Sequence, residues 1–391
     1  MRIVISTPIL YEQNSPFNHL FRDILEGLLK QGHQVTRLVA VDDGENTDYT
    51  MGLGMDYIPV KRPRADHGNI ITRYLIDSLT NFRMARMLRK IHGDVLFEDV
   101  SYSSHFVVRA AKRNGMKVVS MLQDIWPDNA VQSGLVGEGG ALYRYFEFFQ
   151  RYVYRRSDRI VCISDDMKAF MVSKGIPQEK ISVVYNWGYD DETIQIPWDE
   201  NSFVKKYALS RDLFYAVYAG NIGRMQNVEL ILQAADHLRQ RQDIRFLIIG
   251  AGARKEQIQS MAEEMNLKNV EFLPFQSAEL ATSVYSAAGV NLIPLVPGGV
   301  KTALPSKTGV VLSCGRPTIF AFGQDCVFSR LITGTGCVCV DPSAPRELAE
   351  QIALCADQEN FDNSGIYELF LHHFTREKNI AQYVRLISGE S

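Results

Sequence analysis

Two segments in the second half of the chain combine glycines with a basic side chain directly after an apolar run. The first is residues 220–224 (Gly-Asn-Ile-Gly-Arg), which follows a β-rich run at 214–219 and precedes a helical pattern that starts near Asn227. Glycines at a strand-to-helix turn let backbone N–H groups approach an anion, and a helix N-terminus adds a favourable dipole. Arg224 adds a guanidinium fork that suits a diphosphate. The segment predicts a phosphate site, with an ordinary turn and a solvated arginine as the alternative.

The second segment, residues 297–309, reads Pro-Gly-Gly-Val-Lys-Thr-Ala-Leu-Pro-Ser-Lys-Thr-Gly. Pro305 suits the first turn of a helix, and Ser306 and Lys307 would lie at the positive end of that helix. The two glycines permit close approach of the backbone to a ligand. A capped helix start with one exposed lysine explains the same pattern, so both interpretations remain open.

A third glycine-bearing turn, Gly-Ala-Gly-Ala-Arg at 250–254, lacks the third glycine of a dinucleotide fingerprint, so it is a weak signal alone. The first predicted strand-to-helix turn, residues 7–16, contains no glycine, which argues against a Rossmann oxidoreductase. Because all three glycine-bearing turns lie in the second half, we expect that half to hold a nucleotide diphosphate.

Alternating short apolar runs and helical stretches position these turns. Strands are predicted at 2–7, 34–41, 94–99, 117–122, 159–164 and 181–185, and again at 213–219, 244–249, 270–273, 290–293, 317–320 and 337–340. This alternation is typical of βαβ units and parallel sheets. The expected fold is α/β, with two doubly wound Rossmann-like lobes that face each other across a cleft. Open sheets of this kind bind ligands beyond the carboxyl ends of their strands.

The overall composition excludes several classes of protein. The 391 residues carry a formal net charge of −3, so the chain lacks the excess of basic residues that is typical of a nucleic-acid-binding protein. The chain enters a strand at Arg2 with no apolar signal region, and it contains no apolar run of about 18 residues. The six cysteines are best explained as buried free thiols, since no zinc spacing is present. A cytoplasmic location is expected, with attachment to the inner face of the plasma membrane as one option.

Several segments, taken in order, resemble a known family. They are Tyr-Ala-Gly-Asn-Ile-Gly-Arg at 218–224, Ile-Gly-Ala-Gly-Ala-Arg at 249–254, Asn-Val-Glu-Phe-Leu-Pro at 269–274, and Leu-Pro-Ser-Lys-Thr at 304–308 through Gly-Arg-Pro at 315–317. In the first half, Leu-Gln-Asp-Ile-Trp-Pro-Asp at 122–128 matches as well. The chain resembles the bacterial family-four retaining glycosyltransferases of the GT-B fold. Within them it is similar to the branch that builds O-antigen, capsule and exopolysaccharide, including the N-acetylfucosaminyl transferases.

The resemblance implies a function for each half. It implies transfer, with retention and without a metal ion or other cofactor, of an N-acetylamino sugar from a UDP donor to an undecaprenyl-diphosphate-linked glycan. Residues 1–190 are the expected acceptor-binding lobe, 191–212 the connection and 213–370 the nucleotide-sugar-binding lobe. Residues 371–391 are expected to form a C-terminal helix, for which a return to the first lobe is one option.

The resemblance also implies roles for individual residues. The catalytic candidates are Arg224 and Lys307, which would stabilise the departing diphosphate, and Asp124. The donor-binding candidates are Gly220, Asn221, Gly223, Gly250, Phe275, Gly298, Gly299, Lys301, Pro305 and Ser306. The acceptor candidates are Asn14, Ser15, Trp126, Asp128 and His105. Helix capping remains the alternative for Asp124, and simple packing the alternative for His105.

The sequence departs from the family pattern at positions that bind the donor. Many members carry two glutamates eight positions apart, where this chain has Thr302 and Val310. The usual arginine and lysine of the phosphate loop fall on Asn221 and Gln226. Ribose recognition must therefore use other groups, and Arg224 and Lys307 are left as the cations of the site.

Other functions and partners also fit parts of the pattern. A nonhydrolysing UDP-N-acetylglucosamine 2-epimerase shares the two-lobed fold, and a non-catalytic partner subunit would tolerate the missing glutamates. A periplasmic sugar-binding protein would need an export signal. Arg83, Arg86 and Lys90 fall on one face of a predicted helix, which predicts contact with an anionic membrane or an ordinary solvated face.

Overall fold

The chain folds into two units, each built on its own parallel β-sheet. A computed structural model describes residues 1–7, 16–42, 54–63, 70–189, 191–358 and 360–389. The first unit comprises Met1–Val131, Val136–Val184 and Glu377–Ser391, and the second comprises Gln132–Leu135 and Tyr185–Arg376.

Among its described residues the first unit contains seven strands in the order β3-β2-β1-β4-β5-β6-β7, and every pair is parallel. The strands are β1 (Arg2–Thr7), β2 (Gln34–Asp42), β3 (Asp56–Arg62), β4 (Val95–Asp99), β5 (Lys117–Leu122), β6 (Arg159–Cys162) and β7 (Ile181–Val183). The helices are α1 (Pro16–Lys30), α2 (Ile70–Leu88), α3 (His105–Arg113), α4 (Asp128–Gln132, whose last residue belongs to the second unit), α5 (Ala141–Arg156) and α6 (Asp165–Ser173). The strand order reverses between β1 and β4, which places the ligand-binding edge at their carboxyl ends.

The described part of the second unit contains six parallel strands in the order β10-β9-β8-β11-β12-β13. The strands are β8 (Phe214–Asn221), β9 (Ile244–Ala251), β10 (Val270–Leu273), β11 (Val290–Pro294), β12 (Thr318–Ala321) and β13 (Val338–Cys339). The helices are α7 (Ser202–Tyr207), α8 (Val228–His237), α9 (Lys255–Glu264), α10 (Ala281–Ser286), α11 (Thr308–Ser313), α12 (Val327–Leu331), α13 (Pro345–Asp357) and α14 (Ser364–His373). Here the order reverses between β8 and β11.

Two elements differ from the sequence-based expectation. Strand β3 was not predicted, because Pro59 interrupts its apolar pattern. The sheet accommodates this proline because β3 is an edge strand. Residues 191–212 pack on the second unit rather than forming a plain connection. Asn201 caps α7 by accepting hydrogen bonds from the N–H groups of Phe203 (2.9 Å) and Val204 (3.2 Å), and its amide donates to the carbonyl oxygen of Ser283 (2.8 Å).

The last helix, α15 (Arg376–Ser388), packs in the first unit although it follows the second unit in sequence. Tyr383 is 1% exposed, and its ring centroid lies 6.2 Å from that of Phe97 on β4. A Cβ atom at Gly27 of α1 would lie 2.7 Å from Ile380, so the close approach of α1 and α15 depends on that glycine. The helix therefore completes the core of the first unit.

Substitution Tyr383→Ala should destabilise the first unit by about 3 kcal/mol, because it leaves a cavity where a buried ring was. The midpoint of thermal unfolding should fall by about 6–12 °C for a unit of this size, measured by calorimetry. Arg385→Ala, at an exposed position of the same helix, is the control and should change stability by less than about 0.5 kcal/mol. Equal midpoints for the two variants would contradict the packing of α15.

Candidate active site

Strands β8 and β9, on one side of the β8/β11 reversal, are in direct backbone contact at their carboxyl ends. Gly220 of β8 lies opposite Gly250 of β9 in the parallel register. A Cβ atom on Gly250, whose φ is +158°, would lie 1.9 Å from the carbonyl oxygen of Gly220. Any side chain there would force the strand ends apart. The two glycines therefore let the turn after β8 lie flat against the turn after β9.

Lys307 extends across the end of β8. Its Nζ donates a hydrogen bond of 2.8 Å to the carbonyl oxygen of Ala219 and lies 4.0 Å from the centre of the Tyr218 ring. A Cβ atom on Gly220 would approach the same Nζ to 3.2 Å, so this glycine also leaves room for the ammonium group. The lysine thus joins the turn that precedes α11 to the carboxyl end of β8.

Burial governs the charge of Lys307. Although part of the side chain remains accessible to solvent, the surrounding protein lowers its pKa to about 7. Its neighbours are a ring face and a carbonyl oxygen, and no carboxylate of the described residues pairs with it. An anion placed beside Nζ would favour the charged form and raise the pKa again. The position is therefore suited to an anionic ligand.

The turn after β8 is tied to its neighbours by backbone acceptors. Asn227, at φ 44°, donates from its side-chain amide to the carbonyl oxygens of Pro342 (2.8 Å) and Leu295 (3.3 Å). The N–H group of Val296 donates to the carbonyl oxygen of Met225 at 2.9 Å. These bonds hold the loop after β8 against the loop after β11, at the reversal where a ligand is expected.

The other predicted donor residues lie near the carboxyl ends of β8, β10 and β11, and they differ in their exposure to solvent. Asn221, Arg224 and Lys301 are exposed, and Arg224 forms no hydrogen bond or ion pair with a described residue. Gly223, Pro305 and Ser306 are half-buried, Gly298 takes φ +77°, and Gly299 begins a short 3-10 turn. Phe275 follows β10 and is 54% exposed. The structure thus gathers Gly220, Gly250 and Lys307 closely, and leaves Arg224 and Phe275 at the surface.

In the first unit, the segment after β5 carries three predicted residues in different environments. Asp124 is accessible to solvent, yet the protein around it raises its pKa to about 6, despite a hydrogen bond from Asn129 that favours the charged form. Trp126 packs edge-on against Tyr102, with ring centroids 4.6 Å apart. Asp124 is therefore the carboxylate of this segment that is open to a ligand.

Asp128, by contrast, is already engaged. Its carboxylate pairs with Nζ of Lys174 at 2.6 Å and accepts a hydrogen bond of 2.9 Å from the Tyr143 hydroxyl. Its side chain is only 12% exposed, so the pair is well shielded from solvent. This arrangement fixes the end of the segment and suits a positioning role better than direct contact with an acceptor.

His105 lies between two phenyl rings at the start of α3. Its ring centroid is 4.1 Å from that of Phe106 and 4.1 Å from that of Phe149. Burial lowers its pKa to about 4, so the imidazole is neutral at neutral pH. The geometry is that of a packed side chain, which was the alternative interpretation. Asn14 and Ser15, the other acceptor candidates, lie outside the described residues.

A cluster of buried carboxylates and hydroxyls at the end of β4 was not predicted. Glu98 is fully buried and accepts a hydrogen bond of 2.6 Å from the Ser104 hydroxyl; burial holds its pKa well above the usual range. Asp77 of α2 accepts from the hydroxyls of Ser103 (2.6 Å) and Ser101 (3.1 Å), and burial raises its pKa as well. The run Ser-Tyr-Ser-Ser directly after an apolar strand was the available signal for this cluster.

Sequence models of two protein families match the chain. One, described as a glycosyl transferase 4-like domain, matches residues 18–187, and the other, described as glycosyl transferases group 1, matches residues 199–367. The chain belongs to the family-four glycosyltransferases of the GT-B fold. The two matched regions correspond to the two Rossmann-like units.

Individual relatives of this glycosyltransferase agree with the family. It is 24% identical over 391 residues to a protein named glycosyltransferase WbjE of Pseudomonas aeruginosa, covering 98% of this chain and 95% of WbjE. It is 26% identical over 255 residues to a protein named colanic acid biosynthesis glycosyl transferase WcaI of Escherichia coli K12, covering 64% of this chain and 59% of WcaI. The Anabaena protein HepE in complex with UDP-glucose superposes with a TM-score of 0.74 at 13% identity, covering all of both chains, which shows the shared fold.

The two positions where this glycosyltransferase lacks the expected glutamates are occupied by buried side chains. The Thr302 hydroxyl donates to Oε1 of Gln132 at 2.5 Å, and the amide of Gln132 donates to the carbonyl oxygen of Gly298 at 2.8 Å. Val310 is 5% exposed. Neither position offers a carboxylate, so the loop after β11 is held by hydroxyl and amide groups instead.

Replacing Gly250 with alanine should destabilise the second unit by at least about 1–3 kcal/mol, because the new Cβ atom meets the Gly220 carbonyl and the backbone is strained. Chemical denaturation, followed by tryptophan fluorescence, measures the loss. The control is Gly137→Ala, where a Cβ atom would meet nothing within 4 Å. That variant should be neutral or slightly stabilising. Equal stability of the two variants would refute the close contact of β8 and β9.

Proposed function

We propose that this glycosyltransferase moves an N-acetylamino sugar from a UDP donor, with retention, onto a lipid-linked glycan during assembly of a cell-surface polysaccharide. The observation that carries the proposal is the uncompensated ammonium group of Lys307 at the end of β8. The name of WcaI, which refers to colanic acid biosynthesis, supports the polysaccharide pathway. The complex of HepE with UDP-glucose supports the choice of nucleotide.

The proposed task of Lys307 is to stabilise the departing diphosphate. When the bond between the sugar and the diphosphate breaks, negative charge builds up on the diphosphate oxygens. A cation held in place by Tyr218 and Ala219 needs little reorganisation to meet that charge, and such preorganised groups typically contribute about 10²–10³ in turnover. Arg224, exposed on the turn after β8, is proposed as the second cation.

The remaining donor contacts are proposed from their places on the loops. Backbone N–H groups of residues 220–224 would receive the phosphates, and the turn at Pro305 and Ser306 would lie beside them. Gly298, Gly299 and Lys301 would border the sugar, and Phe275 would border the base. Because Thr302 and Val310 replace the expected glutamates, recognition of the ribose would depend on backbone and hydroxyl groups.

Asp124 is proposed to orient the acceptor hydroxyl. With a pKa of about 6 it is mostly ionised at neutral pH and above, and it can accept a hydrogen bond from a hydroxyl group. Trp126, half-buried on the same segment, is proposed to lie beside the acceptor sugar, and Asp128 holds the segment through Lys174. No protein base is assigned to the retaining step. The proposed location is the cytoplasm, at the inner face of the plasma membrane.

The affinity for UDP should depend on pH through Lys307. Below pH 7 the free lysine is already charged, so binding carries no protonation cost. Above pH 7 the free lysine is neutral and must take up a proton when the diphosphate binds, so affinity should fall by up to about ten-fold per pH unit. Isothermal titration calorimetry between pH 7 and 9, in buffers with different ionisation enthalpies, measures both the affinity and the proton uptake.

The matched control is Lys307→Arg, whose guanidinium stays charged throughout that range. This variant should bind UDP with little dependence on pH, whereas Lys307→Met should bind weakly at every pH. If UDP affinity depended on pH equally in the wild type and both variants, Lys307 would not be a ligand of the diphosphate.

Turnover should require an acceptor. With a UDP-N-acetylamino sugar and a lipid-linked glycan, UDP release should be seen only when both are present, and the anomeric configuration of the product, read by NMR, should match that of the donor. Lys307→Ala should lower turnover by about 10²–10³. Conversion of the donor to an epimer without any acceptor would instead identify an epimerase and overturn the proposal.

A further inference from the structure

The side-chain amide of Gln276, in the turn that follows β10, is engaged at both its nitrogen and its oxygen. The residue is 9% exposed. Its amide nitrogen donates hydrogen bonds of 2.7 Å to the Tyr207 hydroxyl and of 2.6 Å to the carbonyl oxygen of Pro274. Its amide oxygen accepts a hydrogen bond of 2.9 Å from Nζ of Lys206. Three partners hold this amide in one orientation, and the loss of any of them would leave a shielded polar group unsatisfied.

Two of these partners belong to the last turn of α7, which is itself anchored in the second unit. The ring centroid of Tyr207 lies 4.9 Å from that of Phe203, which is fully buried. Nζ of Lys206 lies 5.2 Å from the centre of the Tyr207 ring. At the other end of the helix, Asn201 caps the first turn. Helix α7 therefore gives Gln276 a fixed support.

The bond from Gln276 to Pro274 closes the turn around Phe275. Such a bond from a side chain to a backbone group two residues earlier fixes the local path of the chain. The Phe275 side chain is 54% exposed, and neither the N–H group nor the carbonyl oxygen of this residue forms a hydrogen bond with a described residue. An exposed ring beside an open donor and acceptor suits a nucleobase, whose face stacks on aromatic rings and whose edge carries hydrogen-bonding groups.

The order of the strands puts this turn within reach of the diphosphate site. Strand β9 lies between β8 and β10, and all three are parallel, so their carboxyl ends share one edge of the sheet. Neighbouring strands lie about 4.8 Å apart, so the turns after β8 and β10 are separated by roughly 10 Å. A nucleoside diphosphate can span this separation, with its phosphates at the first turn and its base at the second.

We propose that Gln276 is a positioning residue of the donor site. Held by Lys206 and Tyr207, it fixes the turn after β10 so that Phe275 meets the base of a nucleoside diphosphate. Gln276 acts through Phe275 and does not itself contact the ligand. The inference rests on the proposed function, which places the base beside Phe275, and it names the residues that hold Phe275 in place.

The test compares the binding of UDP and of inorganic pyrophosphate to the full chain by isothermal titration calorimetry. Pyrophosphate has no base, so it reports on the phosphate site alone. Gln276→Leu should weaken UDP binding about ten-fold, because the turn loses its support, and should leave pyrophosphate binding unchanged. Tyr207→Phe removes one of the three partners and should weaken UDP binding about three-fold, again without an effect on pyrophosphate.

The matched control is Gln233→Leu, which makes the same change at an exposed position of α8 and should bind both probes as the wild type does. Lys307→Met serves as the opposite case, because it should weaken the binding of both probes. The thermal midpoint is measured for every variant. Tyr207→Phe keeps the native ring, so it carries the test if Gln276→Leu fails to fold.

Wild-type UDP affinity in both Gln276→Leu and Tyr207→Phe would overturn the inference, and the proposed function would stand if Lys307→Met still weakens both probes. Equal losses of UDP and pyrophosphate binding in the folded Gln276→Leu variant would also overturn it, since they would indicate a general change in the unit. Failure of the wild type to bind UDP would overturn the proposed function together with the inference.

Discussion

The ammonium group of Lys307 lies against the Tyr218 ring with the Ala219 carbonyl oxygen as its acceptor, and the proposed donor site of the second unit depends on this contact. The contact exists because Gly220 has no side chain to block the ammonium and because Gly250 lets β8 and β9 end side by side. The result is a partly buried amino group without a carboxylate partner among the described residues. Burial without compensation costs free energy, and a bound anion would offset that cost.

Each unit places its polar groups where its strand order reverses. In the second unit these are Lys307 and the backbone of the turn after β8. In the first unit they are Glu98 and Asp77 with their serine partners, beside the carboxyl ends of β1 and β4. The polar groups at the two reversals differ in kind, because one reversal gathers an amine and the other gathers carboxyl groups whose pKa values are raised by burial. Such a pair of environments suits an enzyme that must bind an anionic donor and a neutral hydroxyl acceptor.

The sequence pattern predicts the fold class well but not every element. Strands β1, β5 and β10 have the predicted bounds, because their apolar runs are short, β-rich and clearly bounded. Strand β3 and helix α7 were missed, since Pro59 and a mixed composition hide elements that are stabilised by their neighbours in space. The local sequence pattern predicts secondary structure poorly where tertiary contacts determine it.

The sequence predicted which loops form the proposed site, but not which side chains contact one another there. Glycine-bearing turns after β8 and β11 were visible in the sequence, whereas the contact of Lys307 with Tyr218 joins residues far apart in the chain. The same holds for Asp77 and Ser103, which belong to different elements. The most direct test of the central claim is a crystal structure of the chain with UDP. The account predicts a diphosphate oxygen within about 3 Å of Lys307 Nζ and of a backbone N–H group in residues 220–224. A diphosphate bound away from both, with Lys307 still bonded only to Ala219, would contradict it.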